Sequence, residues 1–174
     1  MRVLPGVLCL LLLAAAARPL AQGNDHALAE KVAAKVRDYT SFTIFDDVTV
    51  SVGNGKVTLT GCVTMPFKRQ EIGERVAKID GVEVLENDLH VLPVSQSDAD
   101  LRMRVAQAIY GHPAFWPYAS MPRPPIHIIV EAGRVTLTGV VNSEVERSLA
   151  FSLAHVPGAF SVVNDLRLDK APSR

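Results

Sequence analysis

An internal repeat constrains the fold of this chain more than any other feature of its sequence. The stretch GKVTLTG at 55–61 returns as GRVTLTG at 133–139, 78 positions later. Alternating valine and isoleucine residues precede both copies at the same offset. Because self-similarity of this kind marks copies of one supersecondary unit, the sequence predicts two tandem modules, at 24–95 and 96–170.

The first half of each copy has the pattern of a helix followed by a β-hairpin. Apolar residues recur every fourth position at 28–36 and at 101–109, as on the buried side of a helix. The following segments alternate apolar and polar residues, which is typical of strands with one buried face. Between these strands, Asn54 with Gly55 favours a two-residue hairpin turn, and Ala132 with Gly133 holds the equivalent place.

The second half of each copy predicts another helix and a last strand. The helix is expected to begin at Pro66 or after Ser143, since proline and serine favour helix starts. We expect Gly81 and Gly158 to end these helices. The predicted fold class is therefore α+β, with two tandem αββαβ modules. Each module should have a three-stranded mixed sheet with two helices on one face.

Residues 1–23 have the layout of a secretory signal peptide. Arg2 precedes an uninterrupted apolar run at 7–17, and small residues follow. A membrane-spanning helix needs about 20 apolar residues, which is far more than this run supplies. We expect cleavage after Ala17 or after Gly23, and export to the periplasm. The alternative is an uncleaved membrane anchor.

These repeated elements resemble a known family, the BON domain. The resemblance lies in the valine-rich strand, the hairpin, the Gly-Lys/Arg-Val-Thr-Leu-Thr-Gly strand, the amphipathic helix and the Asn-Asp-Leu of the last strand. It covers nearly all of residues 24–170. It implies a tandem BON-domain protein of the bacterial envelope, similar to osmotically inducible periplasmic proteins, without known catalysis. Some members of this family bind anionic phospholipid, and others serve in secretion pores or channels.

Composition and motifs give no basis for catalysis, cofactor binding or nucleic-acid binding. The formal net charge is +0, so no basic excess favours nucleic acid. The histidines lack the short spacing of metal ligands, and the Gly-x-Ser-x-Gly motif of a nucleophile elbow is absent. We expect Asp46 with Asp47 to form a turn, and the recurring Asn87 and Asn164 to have structural roles. Cys62 corresponds to Val140 in the second copy, which favours a packing role.

The segment 110–125 is the predicted site of binding. It contains the only tryptophan and lies where the second copy has extra residues. Its prolines argue against a regular helix or central strand, so its side chains are expected on a loop. Tryptophan and tyrosine favour membrane interfaces, and an arginine can attract a lipid phosphate. The candidate lipid- or partner-binding residues are Phe115, Trp116, Tyr118, Met121 and Arg123. The alternative is that these aromatic residues pack over a sheet edge or between the modules.

Two functional hypotheses follow from the resemblance and this segment. The first is a non-enzymatic envelope protein of maintenance or stress response that binds anionic phospholipid or a membrane surface peripherally. It would lie in the periplasm, with association to the outer membrane. The second is a periplasmic protein–protein adaptor without lipid affinity. Nothing in the sequence specifies an oligomeric state, and we expect no metal or other cofactor.

Overall fold

The structure, a computed structural model, describes residues 19–169, with side chains from residue 24 onward. The predicted signal peptide thus lies almost entirely outside the described residues. The first module comprises helix α1 (Pro19–Arg37), strands β1 (Asp47–Gly53) and β2 (Lys56–Val63), helix α2 (Pro66–Ala77) and strand β3 (Val84–Val91). The second comprises α3 (Gln96–Tyr110), a 3-10 turn (Pro113–Phe115), α4 (Trp116–Ala119), β4 (Ile126–Glu131), β5 (Arg134–Val141), α5 (Glu144–Leu153), β6 (Ser161–Asn164) and β7 (Arg167–Leu168).

Each module has a mixed sheet with the same topology. In the first module β2 lies in the centre, antiparallel to β1 and parallel to β3. In the second module β5 takes this place between β4 and β6, and β7 continues along β5 after a break. The predicted α+β class with two tandem αββαβ modules is therefore confirmed.

The alternation of apolar and polar residues builds the two cores. The apolar side chains of β2 and β5, such as Leu59 and Leu137, are fully buried beneath the helices of their own module. Val32 of α1 and Val105 of α3 occupy equivalent places in the repeat and are also fully buried. Each module thus has its own hydrophobic core, as the repeat predicts.

The two hairpins have the same turn, held by the same helix residue. Asn54 and Gly55 have φ of 50° and 74°, and Ala132 and Gly133 have 49° and 73°. An aspartate near the start of the preceding helix accepts hydrogen bonds from both turn amides in each module. These residues, Asp25 and Asp98, are 73 positions apart, like the helix residues around them. The predicted hairpin turn is confirmed.

Two local predictions need correction. Helices α2 and α5 end at Ala77 and Leu153, before Gly81 and Gly158. These glycines have φ of 100° and 96° and lie in the turn after the helix, which needs a left-handed residue. The last strand of the second module is not continuous, because β6 ends at Asn164 and β7 begins at Arg167.

The recurring asparagines connect the last strand to the preceding helix. The side-chain amide of Asn87 donates to the carbonyl of Arg69 at 2.8 Å, and that of Asn164 donates to the carbonyl of Arg147 at 2.9 Å. Their amide oxygens accept hydrogen bonds from the backbone two residues later. Their predicted structural role is confirmed.

The loop between α1 and β1, residues 38–46, makes the closest contact between the modules. Ile44 and Phe45 pack against the core of the second module. The amide of Ile128 in β4 donates to the carbonyl of Ile44 at 2.7 Å. The ring of Phe42 lies 5.5 Å from that of His127. The first module therefore contributes side chains and one backbone acceptor to the second.

Candidate functional site

The proline-rich segment of the second module is more regular than its sequence predicts. We expected its prolines to leave a loop, but the chain forms a 3-10 turn at Pro113–Phe115 and a short helix at Trp116–Ala119. Pro113 and Pro117 lie in the first turn of these elements, where the missing N–H costs no hydrogen bond. The segment therefore has a defined conformation from which its aromatic side chains project.

Two of the five candidate binding residues belong to the core of the second module. Phe115 is fully buried and Tyr118 is 4% exposed. Their rings stack with centroids 6.1 Å apart. These two rings pack in the second core, whereas Phe42 and Phe45 of the first copy supply the contact between modules. A direct contact of Phe115 with a ligand would require this core to open.

The hydroxyl of Tyr118 anchors the segment to the start of α5. It donates to the carboxylate of Glu146 at 2.7 Å and accepts from the amide of Asn142 at 3.0 Å. Burial, together with the nearby carboxylate of Glu146, raises the pKa of Tyr118 to about 12. The hydroxyl is therefore protonated at physiological pH and acts as a hydrogen-bond bridge.

Two other candidate residues are exposed beside this anchor. Trp116 is 60% exposed, and its indole N–H donates to the carbonyl of Gly111 at 3.3 Å. Met121 is 43% exposed and lies one turn after Tyr118, whose carbonyl accepts from its amide. Val145 of α5, adjacent to the Glu146 that bonds Tyr118, is 77% exposed. We call these three side chains, Trp116, Met121 and Val145, the apolar tip.

The fifth candidate, Arg123, lies at the boundary between the modules. Its guanidinium is 3.0 Å from the carboxylate of Asp38, and both side chains are largely exposed. Arg123 also lines a cleft of 1070 Å³ between the two modules, the inter-module cleft. The first-module wall of this cleft is formed by α1 and β1, and the second-module wall includes residues 122–125 and part of β5.

Sequence reasoning missed a buried ion pair at the end of the α1–β1 loop, which contacts the second module. Asp46 and Lys68 have side chains 0% and 6% exposed, and their charged atoms lie 2.6 Å apart. Asp46 also accepts hydrogen bonds from Thr43 and Thr64. The predicted turn role is confirmed for Asp46 by its bond to the amide of Thr43. It is wrong for Asp47, which is the first residue of β1. The partner Lys68 gave no signal, because an isolated lysine in an amphipathic helix normally faces solvent.

Cys62 and the strand histidines lie near the contact between modules. Cys62 is half-buried, and burial, with smaller effects of Glu131 and Asp47, raises the pKa of its thiol. His90, paired with Cys62 in the sheet, lies 3.2 Å from the carboxylate of Glu131. A raised pKa keeps the thiol protonated, which makes it a weaker nucleophile.

Two further properties of the described chain bear on its function. Across residues 19–169, no three His, Cys, Asp or Glu side chains come together in a way that could hold a metal ion. Among the helices in that range, none has both the length and the apolar composition needed to cross a membrane.

Comparison with known proteins identifies the class of the chain. The family described as BON domain matches twice, at residues 24–93 and 97–170. The chain therefore belongs to the BON domain family, as a tandem BON-domain protein. Proteins with this domain are associated with the bacterial envelope and with phospholipid, and are generally non-enzymatic. No curated protein matches the chain.

Two solved structures are similar to this chain. One comes from structural studies of CdsD, a structural protein of the type III secretion system of Chlamydia trachomatis, with 16% identity and a TM-score of 0.33. The other is the C-terminal domain of CdsD, with 14% identity and a TM-score of 0.34. Each match covers 83% of this chain. The chain spans less than two thirds of both solved chains, 63% and 66% of their lengths.

Proposed function

We propose that this chain is a non-enzymatic protein of the bacterial envelope that binds phospholipid surfaces through the apolar tip of its second module. In this proposal the predicted signal peptide exports the chain to the periplasm, where it contacts a membrane peripherally. Family membership supports a role at the envelope. The choice of this surface depends on one observation. Trp116 is 60% exposed, although its neighbours Phe115 and Tyr118 are buried in the core.

The apolar tip has the chemistry of a membrane-interface contact. Trp116 presents a large ring with one polar edge, and such rings favour the boundary between lipid headgroups and acyl chains. Phe115 and Tyr118 hold the tip from beneath, so little conformational entropy is lost when Trp116 binds. Met121 and Val145 add exposed apolar surface. Each is close in the chain to one partner of the hydrogen bond between Tyr118 and Glu146.

Two arginines near the tip supply attraction for anionic headgroups. Arg123 lies two residues after Met121, and Arg147 lies two residues after Val145. Their ion pairs, with Asp38 and Glu144, are solvent-exposed. Exposed pairs contribute little to stability, about 0 to 1 kcal/mol. A phosphate oxygen can therefore replace the carboxylate at low cost, which favours anionic over zwitterionic membranes.

Vesicle co-sedimentation of residues 24–174 tests this proposal. We expect the protein to pellet with phosphatidylglycerol vesicles more than with phosphatidylcholine vesicles. Trp116 is the only tryptophan, so its emission should shift to the blue as the ring leaves water. Replacing Trp116 with alanine should weaken binding about tenfold or more, since burying a large apolar side chain contributes roughly 1.5–3 kcal/mol. Met121→Ala, which keeps the fluorophore, should weaken binding less.

Phe160→Ala is the matched control. Phe160 is 85% exposed and lies beside Gly133, at the opposite end of β5 from Tyr118 and its partner Asn142. Eight strand residues separate the two ends by roughly 25 Å. This variant should therefore bind vesicles like the unaltered protein. Equal losses for Phe160→Ala and Trp116→Ala, or no pelleting with either lipid, would reject the apolar tip and favour the adaptor hypothesis.

A further inference from the structure

The two modules differ at one edge of their sheets, although their folds are the same. In both, the first strand lies at the sheet edge and pairs on one side only. In a hairpin with a two-residue turn, the two residues that flank the turn exchange hydrogen bonds with each other. Further from the turn, every second pair of opposite residues does the same. The intervening residues direct their N–H and C=O groups to the free edge. These are Val48, Val50 and Val52 in β1, and Ile126, Ile128 and Val130 in β4.

The free edge of β4 is capped at all three positions. The hydroxyl of Tyr110 donates to the carbonyl of Ile126, and the amide of Ile128 donates to the carbonyl of Ile44. The buried guanidinium of Arg102 donates to the carbonyl of Val130 at 2.7 Å. Caps of this kind prevent another strand from adding to the sheet.

The equivalent edge of β1 is uncapped. Among the described residues, no hydrogen bond reaches the outward groups of Val48, Val50 or Val52. The sequence explains the difference, because the repeat aligns Ala29 with Arg102 and Arg37 with Tyr110. Alanine cannot reach the strand, and the space that an arginine would fill stays open. Ala29, Val48 and Val50 all line the inter-module cleft.

We propose that the free edge of β1 binds an extended peptide by strand addition within the inter-module cleft. The cleft has a volume of 1070 Å³, slightly above the range of typical ligand sites, about 300–1000 Å³. A peptide paired with β1 would satisfy the outward groups of Val48 and Val50, as strand addition does in known peptide-binding domains. This inference does not rest on lipid binding.

The walls of the cleft specify the chemistry of the peptide. The first-module wall offers small and apolar groups, including Ala29, Ala33 and Val50. It also carries two acidic residues and one basic residue, Glu30, Asp47 and Arg37. The second-module wall carries three arginines and one aspartate. Because successive side chains of a strand point to opposite faces, the fitting sequence alternates apolar residues with acidic ones.

Two unsatisfied polar atoms mark the second-module wall. The Nδ1 atom of His127 and the Oγ1 atom of Thr138 are buried and have no hydrogen-bond partner within the described chain. The two residues face each other across β4 and β5, and both line the cleft. Buried polar atoms are normally paired, but these two lie too deep for a peptide in the cleft to reach without movement of the wall. If a second copy of the chain paired with β1, its whole sheet would have to fit beside residues 122–125, which line the cleft. A single extended strand is therefore the favoured occupant.

Fluorescence anisotropy with a labelled peptide of alternating valine and glutamate tests the proposal on the purified protein. We expect saturable binding, together with slower amide exchange at Val48 and Val50. Ala29→Arg places a long side chain in the cleft beside β1 and should weaken peptide binding at least tenfold, although it adds a positive charge. Ala27→Arg is the matched control, because Ala27 is exposed on the same helix and does not line the cleft.

The outcomes separate strand addition from other modes of binding. We expect Ala27→Arg to retain its affinity for the peptide. Neither Ala27→Arg nor Ala29→Arg should change the thermal unfolding of the protein. Equal binding of a peptide with alternate residues N-methylated would overturn the proposal, because such a peptide cannot pair with β1. No saturable binding would overturn it as well. Protection of these two β1 amides that depends on protein concentration alone would assign the edge to a second copy.

Discussion

At the scale of single residues, the buried pair of Asp46 and Lys68 is the most consequential local feature. Burial alone would raise the pKa of Asp46. The hydrogen bond from Lys68 and those from Thr64 and Thr43 outweigh burial and hold this pKa below its ordinary value. The same carboxylate closes the turn at Thr43, one residue before Ile44. The ion pair therefore positions the loop that contacts the second module.

Replacing Asp46 with asparagine should destabilise the protein by about 3 to 5 kcal/mol, because Lys68 would remain buried without a counter-charge. Changing both residues, Asp46→Asn with Lys68→Met, should cost clearly less than the single change. Urea unfolding of the single and double variants measures the difference. An additive result, with the double variant less stable than Asp46→Asn, would contradict a coupled pair.

The lowered pKa of Asp46 also gives this prediction a pH dependence. A carboxylate whose pKa is lower in the folded state stabilises the fold above its unfolded pKa, near 3.9. This stabilisation is lost as the pH falls through the lower, folded pKa. The unaltered protein should therefore lose more stability below about pH 4 than the double variant.

At the scale of elements, the two hairpins differ at one turn residue. Ala132 has a φ of 49°, a left-handed conformation that alanine adopts with strain, whereas Asn54 has the same conformation in the first module. Ala132→Asn should therefore raise stability by about 0.5 to 1 kcal/mol. Asn54→Ala should lower stability by a similar amount. Thermal unfolding of both variants checks this, and two changes of the same sign would refute it.

Most elements could be predicted from the sequence because their signals are local. The alternation of Val57, Leu59 and Val63 identifies β2 and its buried face, and the repeat extends this to β5. The short helical turns at 113–119 could not be predicted in the same way, since their prolines signal a break unless the positions of helix starts are known. The caps of β4 were also hidden, because Arg102 and Val130 meet only after the chain has folded.

At the scale of the whole molecule, the modules are unequal partners. The first module completes its own core, but the core of the second is covered in part by Ile44 and Phe45. The contact between the modules was not predictable from the sequence, because it joins residues about 80 positions apart, such as Ile44 and Ile128. The same arrangement leaves β1 open and closes β4. Duplication has thus produced one protected edge and one available edge.

This asymmetry predicts how the molecule unfolds. Replacing Ile44 and Phe45 together with alanine should lower the stability of the second module by roughly 2 to 4 kcal/mol, since both side chains are half-buried against its core. Amide exchange should accelerate in β4 and β5 more than in β2, although the altered residues belong to the first module. Val94→Ala is the control, because Val94 is 98% exposed between the modules and should change stability by less than about 0.5 kcal/mol. Faster exchange confined to β1 and β2 would show instead that the loop serves only its own module.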